Sequence, residues 1–154
     1  RLKAFRRNIY FPELLFELDL SGYRNERFLI KIESQDQKID YKHKLATIKG
    51  CGLYFKFPVP TDEIMCAMKI SALLSRAKGR DFYDAMFLMG QTQPDYSFLS
   101  ERWGIKNQAE LKQAFNDLLQ NIDLSKKAKD FEHLIFQQPS TRQILLFKDY
   151  VEDL

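Results

Sequence analysis

The sequence predicts an α+β protein, and three observations carry that reading. β-prone runs crowd the first 60 residues, helical periodicity governs the remainder of the chain, and Pro58-Val59-Pro60 marks the change. Strands and helices segregated along a chain, rather than alternating, are the signature of this class. In the β-rich part, residues 27–33 (RFLIKIE) alternate in their second half and residues 45–49 (LATIK) form a short β-prone run. Residues 53–57 (LYFKF) read as another aromatic strand, joined to the previous one by Gly50-Cys51-Gly52. A tight hairpin suits that tripeptide, because glycine takes positive φ without steric cost. The opening segment to Gly22 is ambiguous. Residues 12–18 (PELLFEL) fit either a short helix with proline at its first position or an edge strand, and the helix is preferred.

After Pro60 the helices come in order. Thr61 or Asp62 caps a helix running to about Ala77, with Gly79 as its stop. A second spans Asp81 to Met89 and ends at Gly90; a third spans Tyr96 to Trp103 and ends at Gly104. Asn107 with Glu110 three residues later opens a helix to about Ile122. Ser125 to about Gln137 and Ser140 to Val151 complete the set. Residues 1–60 are thus a β-rich part and 61–154 a helical region, read as one folding unit with a change of layer at Pro58–Thr61.

Composition narrows the function classes. The 154 residues carry 45% hydrophobic and 14% aromatic side chains, too much apolar surface for a disordered chain. No apolar run approaches the ~18 residues of a membrane span, and no signal-peptide pattern opens the chain. Two cysteines, Cys51 and Cys66, are too few for a disulfide scaffold, so the expected setting is soluble and reducing, hence cytoplasmic. The net charge of +3 is uneven: residues 1–60 are net +5 and residues 91–154 net −2. A basic front half attracts phosphate-bearing partners, although such a surplus also occurs on ordinary surfaces. The chain opens on Arg1 without an initiator Met and reads as a piece of a longer protein.

Residues 62–88 hold the richest chemistry. On a helix, positions seven apart nearly superimpose, so Lys69 and Arg76 share a stripe and Arg80 extends it. Ile64, Met68, Leu73 and Leu74 are left to face a core. Cations along one line suit a chain of phosphates. Asp81 and Asp84, at i and i+3, emerge on one side of the next helix, while Phe82, Met86 and Met89 turn to the core. An acidic pair facing that stripe can accept from a sugar hydroxyl or orient Lys69. The same residues also suit plainer roles: Asp81 as an N-cap, Asp84 favoured by the helix dipole, and Arg80–Asp84 as an i,i+4 surface pair.

Elsewhere the signals are thinner. Glu33, at a strand end, is a candidate metal-binding carboxylate. Asp40 and Asp130 each precede a histidine (His43, His133) by three residues without a third ligand, which argues against zinc. There is no P-loop and no nucleophile elbow, and Cys51 has no histidine at a catalytic spacing. Trp103, Phe131 and Phe136 fall within helices and are assigned to the core.

Residues 63–84 (EIMCAMKISALLSRAKGRDFYD) resemble the AbiEii/AbiGii-type nucleotidyltransferase toxins of abortive-infection toxin–antitoxin pairs, relatives of the MenT toxins. That family carries a helix with a lysine, a downstream arginine and then Arg-Asp-x-x-Asp. These positions correspond to Lys69, Arg76 and Arg80-Asp81-Phe82-Tyr83-Asp84. Residues 28–33 and the Pro-Val-Pro entry are also similar, so the likeness covers about residues 25–90. It implies a partial polymerase-β-like nucleotidyltransferase sheet followed by a C-terminal helical bundle. It further implies transfer of a nucleotide from an NTP, with Mg²⁺, to an RNA such as tRNA, in a type IV-like system of phage defence with a cognate antitoxin and no membrane. In that picture Lys69 holds the triphosphate, Asp81 and Asp84 position Lys69 or the nucleotide, Arg76 or Arg80 braces phosphate or pairs with those aspartates, and Glu33 adds a metal ligand. The family's Gly-Ser motif and Asp-x-Asp pair do not occur in this chain, so the activity is expected of the intact protein rather than of this portion alone. The alternative is a non-catalytic module that contacts an antitoxin or nucleic acid.

Overall fold

The ambiguous opening segment contains a strand. In the computed structural model, which describes residues 4–132 and 143–154, β1 (Ala4–Pro12) pairs antiparallel with β2 (Arg27–Gln35). The register sets Phe11 opposite Phe28, Ile9 opposite Ile30 and Arg6 opposite Glu33, and the last two form an ion pair. Pro12 closes the strand instead of opening the helix, and α1 (Leu14–Glu17) is a single turn bracketed by Glu13 and Asp19 at positive φ. The helix preferred for residues 12–18 is therefore real but shorter. The strand before it was obscured because Arg6, Arg7 and Asn8 interrupt the apolar run. Arg7 instead stacks over Phe5, two residues back on the same strand face.

The chain divides between Lys38 and Ile39 into two compact units. The change from strand to helix falls later, at Pro58–Thr61, so a second hairpin shares its unit with the helices. Its strands, β3 (His43–Gly50) and β4 (Leu53–Pro60), pair antiparallel with Gly50 opposite Leu53. Cys51 (φ 48°) and Gly52 (φ 76°) both take positive φ, the conformation of a two-residue turn whose twist matches the strands. Pairing runs beyond the expected spans, to His43 opposite Pro60. Among the described residues the sheets are thus two separate antiparallel pairs.

α2 (Asp62–Arg76) begins as expected but stops differently. Ala77, at φ 46°, closes it by donating to the Leu73 carbonyl, and Gly79 is the first residue of α3 (Gly79–Met89), not a stop. α4 (Tyr96–Trp103) lies between the Asp95 N-cap and Gly104 at φ 73°. α5 (Gln108–Leu119) is capped by Asn107, whose side chain accepts from the Glu110 N–H. Glu110 in turn accepts from the Lys106 N–H at 2.7 Å, one residue before the N-cap. α6 (Leu124–Glu132) and α7 (Phe147–Glu152) follow, and residues 143–145 are also helical, ahead of a turn at Leu146; the expected extension to Gln137, the helix start at Ser140, and Phe136 and His133 lie outside the described residues.

Helices of this length are held by tertiary packing more than by propensity. The core of this unit centres on Phe147, which meets Phe82 and Phe115 edge-on at ring-centroid distances of 5.0 and 5.2 Å, all three fully buried. These contacts tie α7 to α3 and α5. The caps add local definition. Asp95→Ala removes the acceptor 2.8 Å from the Phe98 N–H and is expected to cost about 1 kcal/mol in urea unfolding. An unchanged midpoint would show that the cap does not set where α4 starts.

Candidate functional site

α2 is packed through Ile64, Cys66, Ala67, Ile70 and Leu73, which are buried, while Met68 and Leu74 pack at the edge of the core. Lys69 and Arg76 stand at the margin of that face, their side chains 39% and 44% exposed. α3 is buried through Phe82 and Ala85, with Met86 and Met89 partly buried. The two-residue link Ala77-Lys78 returns the chain so that α2 and α3 pack along each other, and two ion pairs bridge them. Arg76 donates from Nε and Nη2 to the two oxygens of Asp81, at 2.9 and 2.7 Å. Farther from the link, Lys69 Nζ donates to Asp84 Oδ2 at 2.6 Å.

Asp81 is 0% exposed. Its Oδ2 also accepts from the Lys78 backbone N–H at 3.1 Å, so it is the third residue of α3 reaching back to the cap, not the N-cap. Burial pushes the Asp81 carboxyl up. The Arg76 guanidinium, the Lys78 N–H and the nearby charges of Arg76 and Arg80 outweigh that and hold it below the ordinary 3.8. With both oxygens taken by protein donors, Asp81 clamps the helix pair. Asp84 differs: it is partly exposed and accepts from Lys69. An ammonium has three N–H donors, so Lys69 keeps two for other acceptors while Asp84 fixes its position. A partly exposed cation held this way, with a guanidinium two helical turns along, can grip consecutive phosphates.

A family model described as "Nucleotidyl transferase AbiEii toxin, Type IV TA system" matches residues 13–145. The chain belongs to the AbiEii toxin family. No curated protein and no solved structure matches it.

In this AbiEii-family chain, four of the expected residues, Lys69, Arg76, Asp81 and Asp84, come together. Arg80 is exposed and forms no ion pair among the described residues, so the Arg80–Asp84 surface pair does not occur. Glu33 lies in the other unit and pairs with Arg6 across the β1–β2 hairpin. No group of three or more His, Cys, Asp or Glu is placed to hold a metal ion among the described residues. With Asp81 and Asp84 engaged by Arg76 and Lys69, the described carboxylates do not fit a Mg²⁺ site by themselves.

Two assignments need correction or completion. Trp103, expected in the core, is half-exposed, and its indole N–H donates to the buried Ser71 Oγ at 2.8 Å. That bond ties α4 to α2, and nothing in the spacing announced it. Cys66 is buried and its thiol is pushed up to about 12, while Cys51 is exposed in the hairpin turn. A thiol reagent at neutral pH is therefore expected to modify one cysteine per native chain, Cys51, with Cys66 reacting only on unfolding. Rapid modification of both would contradict the burial of Cys66. No helix among the described residues is long and apolar enough to cross a membrane.

Proposed function

We propose that this chain is the C-terminal part of a nucleotidyltransferase toxin built on a polymerase-β-like core, and that Lys69, Arg76 and Arg80 form the wall against which a nucleoside triphosphate is held. The observation that supports this best is the partly exposed Lys69 ammonium held by Asp84 at 2.6 Å, on a helix pair locked by a half-buried Arg76–Asp81 clasp. Membership of the AbiEii family supplies the reaction class. In the transfer, an acceptor hydroxyl on an RNA such as tRNA forms a bond to the α-phosphorus. The bond from that phosphorus to the bridging oxygen breaks, pyrophosphate leaves, and the hydroxyl proton passes to solvent. The residues of this chain bind and orient: Lys69 takes a phosphate oxygen, Asp84 holds Lys69, Arg76 and Arg80 add charge, and Asp81 positions Arg76. Mg²⁺ enters as the counter-ion of the triphosphate, and no described carboxylate is assigned to it. The basic residues of the first 60 favour a polyanionic acceptor without reading its sequence. A cognate antitoxin and a cytoplasmic, phage-defence setting complete the reading.

The test is a transfer assay on the product of the whole open reading frame, with labelled NTPs, Mg²⁺ and total tRNA. Label is expected on RNA, and is expected to fall by about 10²–10³-fold in Lys69→Ala and by less in Asp84→Asn. No label from any of the four common NTPs, with a folded protein, would overturn the reading in favour of a binding module.

A further inference from the structure

α3 carries a second feature beside the charged residues. Tyr83 and Phe87, one turn apart, lie with nearly parallel rings, 13° between planes and 6.2 Å between centroids. Phe87 is 57% exposed, although the same helix buries Phe82 and Ala85 completely. At ~100° per residue, Arg80, Tyr83, Asp84 and Phe87 fall within an arc of about 100° on α3. Arg80 sits at the N-terminal end of that face and Phe87 at the other, with Tyr83 and Asp84 adjacent between them. Phe87 follows Asp84 by three residues, a rise of ~4.5 Å along the axis. The helix thus offers, within the reach of one nucleotide, cations for phosphate and a flat apolar surface.

We propose that the Tyr83–Phe87 pair is a stacking ledge for the nucleobase of the incoming nucleoside triphosphate, with Phe87 as the contacting ring; this rests on the triphosphate reading of Lys69. Every base has a π-face, so a ledge of this kind adds affinity without selecting strongly among bases. Stacking alone thus favours broad use of NTPs over strict choice of one.

The experiment separates base from phosphate by calorimetric titration of the 154-residue chain with ATP, GTP, CTP, UTP and, separately, tripolyphosphate, all with Mg²⁺. Phe87→Ala is expected to weaken NTP binding by about fivefold or more while leaving tripolyphosphate unchanged, and Phe87→Trp to retain NTP affinity. Lys69→Ala is expected to weaken both ligands. If Lys69→Ala weakens them and Phe87→Ala weakens neither or both equally, the ledge is overturned while the phosphate reading stands. If Lys69→Ala changes neither, the phosphate reading falls and the ledge with it. Unchanged NTP affinity in Phe87→Ala together with a higher half-saturating concentration of acceptor RNA in the transfer assay would assign the ring to the acceptor and overturn the proposal. Because Phe87 is exposed, the variants are expected to keep the wild-type circular dichroism.

Discussion

Asp81→Asn is expected to destabilise the helical unit by about 2–4 kcal/mol, measured by urea unfolding at pH 7. The substitution keeps size and shape, so no cavity term enters. What changes is the match of donors and acceptors. Asp81 accepts from Arg76 Nε, Arg76 Nη2 and the Lys78 N–H through its two oxygens. Asparagine has one acceptor oxygen, and its NH₂ group would face a donor. One part of the site then holds donor against donor with no exposure at Asp81 to let water intervene. Arg76 is 44% exposed and can resolvate its charge, which keeps the loss below that of a wholly buried pair. A change under 0.5 kcal/mol would mean that the clasp contributes nothing net.

The same substitution carries a pH signature. Because the folded-state pKa of Asp81 lies below 3.8, the stability it contributes is fully present above that value. It is lost as pH falls through the folded value and the carboxylate protonates. Unfolding midpoints of the wild type should therefore drop more steeply below pH 4 than those of Asp81→Asn, which has no such proton to take up. Parallel curves for the two proteins would show that Asp81 is not held ionised by Arg76.

How much of this was legible in the sequence differs by element. The Gly50-Cys51-Gly52 hairpin and the start of α2 were readable, because turn chemistry and a change of period are local signals. The end of α2 was not. Gly79 looks like a stop, but Ala77 takes the left-handed position and Gly79 starts α3, since Asp81 reaching back to Lys78 fixes the new helix start two residues earlier. β1 was hidden because Arg6, Arg7 and Asn8 stand in a row and break its apolar alternation, which a short window reads as a charged coil. In the site, spacing put Lys69 and Arg76 on one stripe and the two aspartates on the next helix. It could not pair them, because pairing depends on the tight Ala77-Lys78 link, which sets Asp81 against Arg76 and Asp84 against Lys69. The i,i+4 alternative for Arg80 and Asp84 was equally permitted by sequence. It loses to a tertiary partner across the helix pair. Glu33 was suggested by its strand end and by the family resemblance, and the strand opposite supplies Arg6.

Lys69→Ala is expected to lower kcat/KM for nucleotidyl transfer by about 10²–10³-fold while leaving stability within about 0.5 kcal/mol, because the side chain is partly exposed and its removal costs a charge, not a core. Asp84→Asn separates the charge from its placement. The ammonium remains, but the 2.6 Å contact that orients it becomes a weaker neutral-acceptor bond. A displacement of about 1 Å in a positioning group can cost up to ~10²-fold, so Asp84→Asn should fall between wild type and Lys69→Ala. Lys69→Arg keeps the charge yet is expected to rescue little, since a planar guanidinium paired with Asp84 presents its remaining donors in a different geometry. The order of effects is the deciding readout. If Asp84→Asn were more damaging than Lys69→Ala, Asp84 would have to act on the substrate directly, and Lys69 would be its support instead. Asp81→Asn provides the contrast: its loss of activity should track the fraction unfolded and recover at low temperature or with a stabilising osmolyte, whereas neither condition should restore Lys69→Ala.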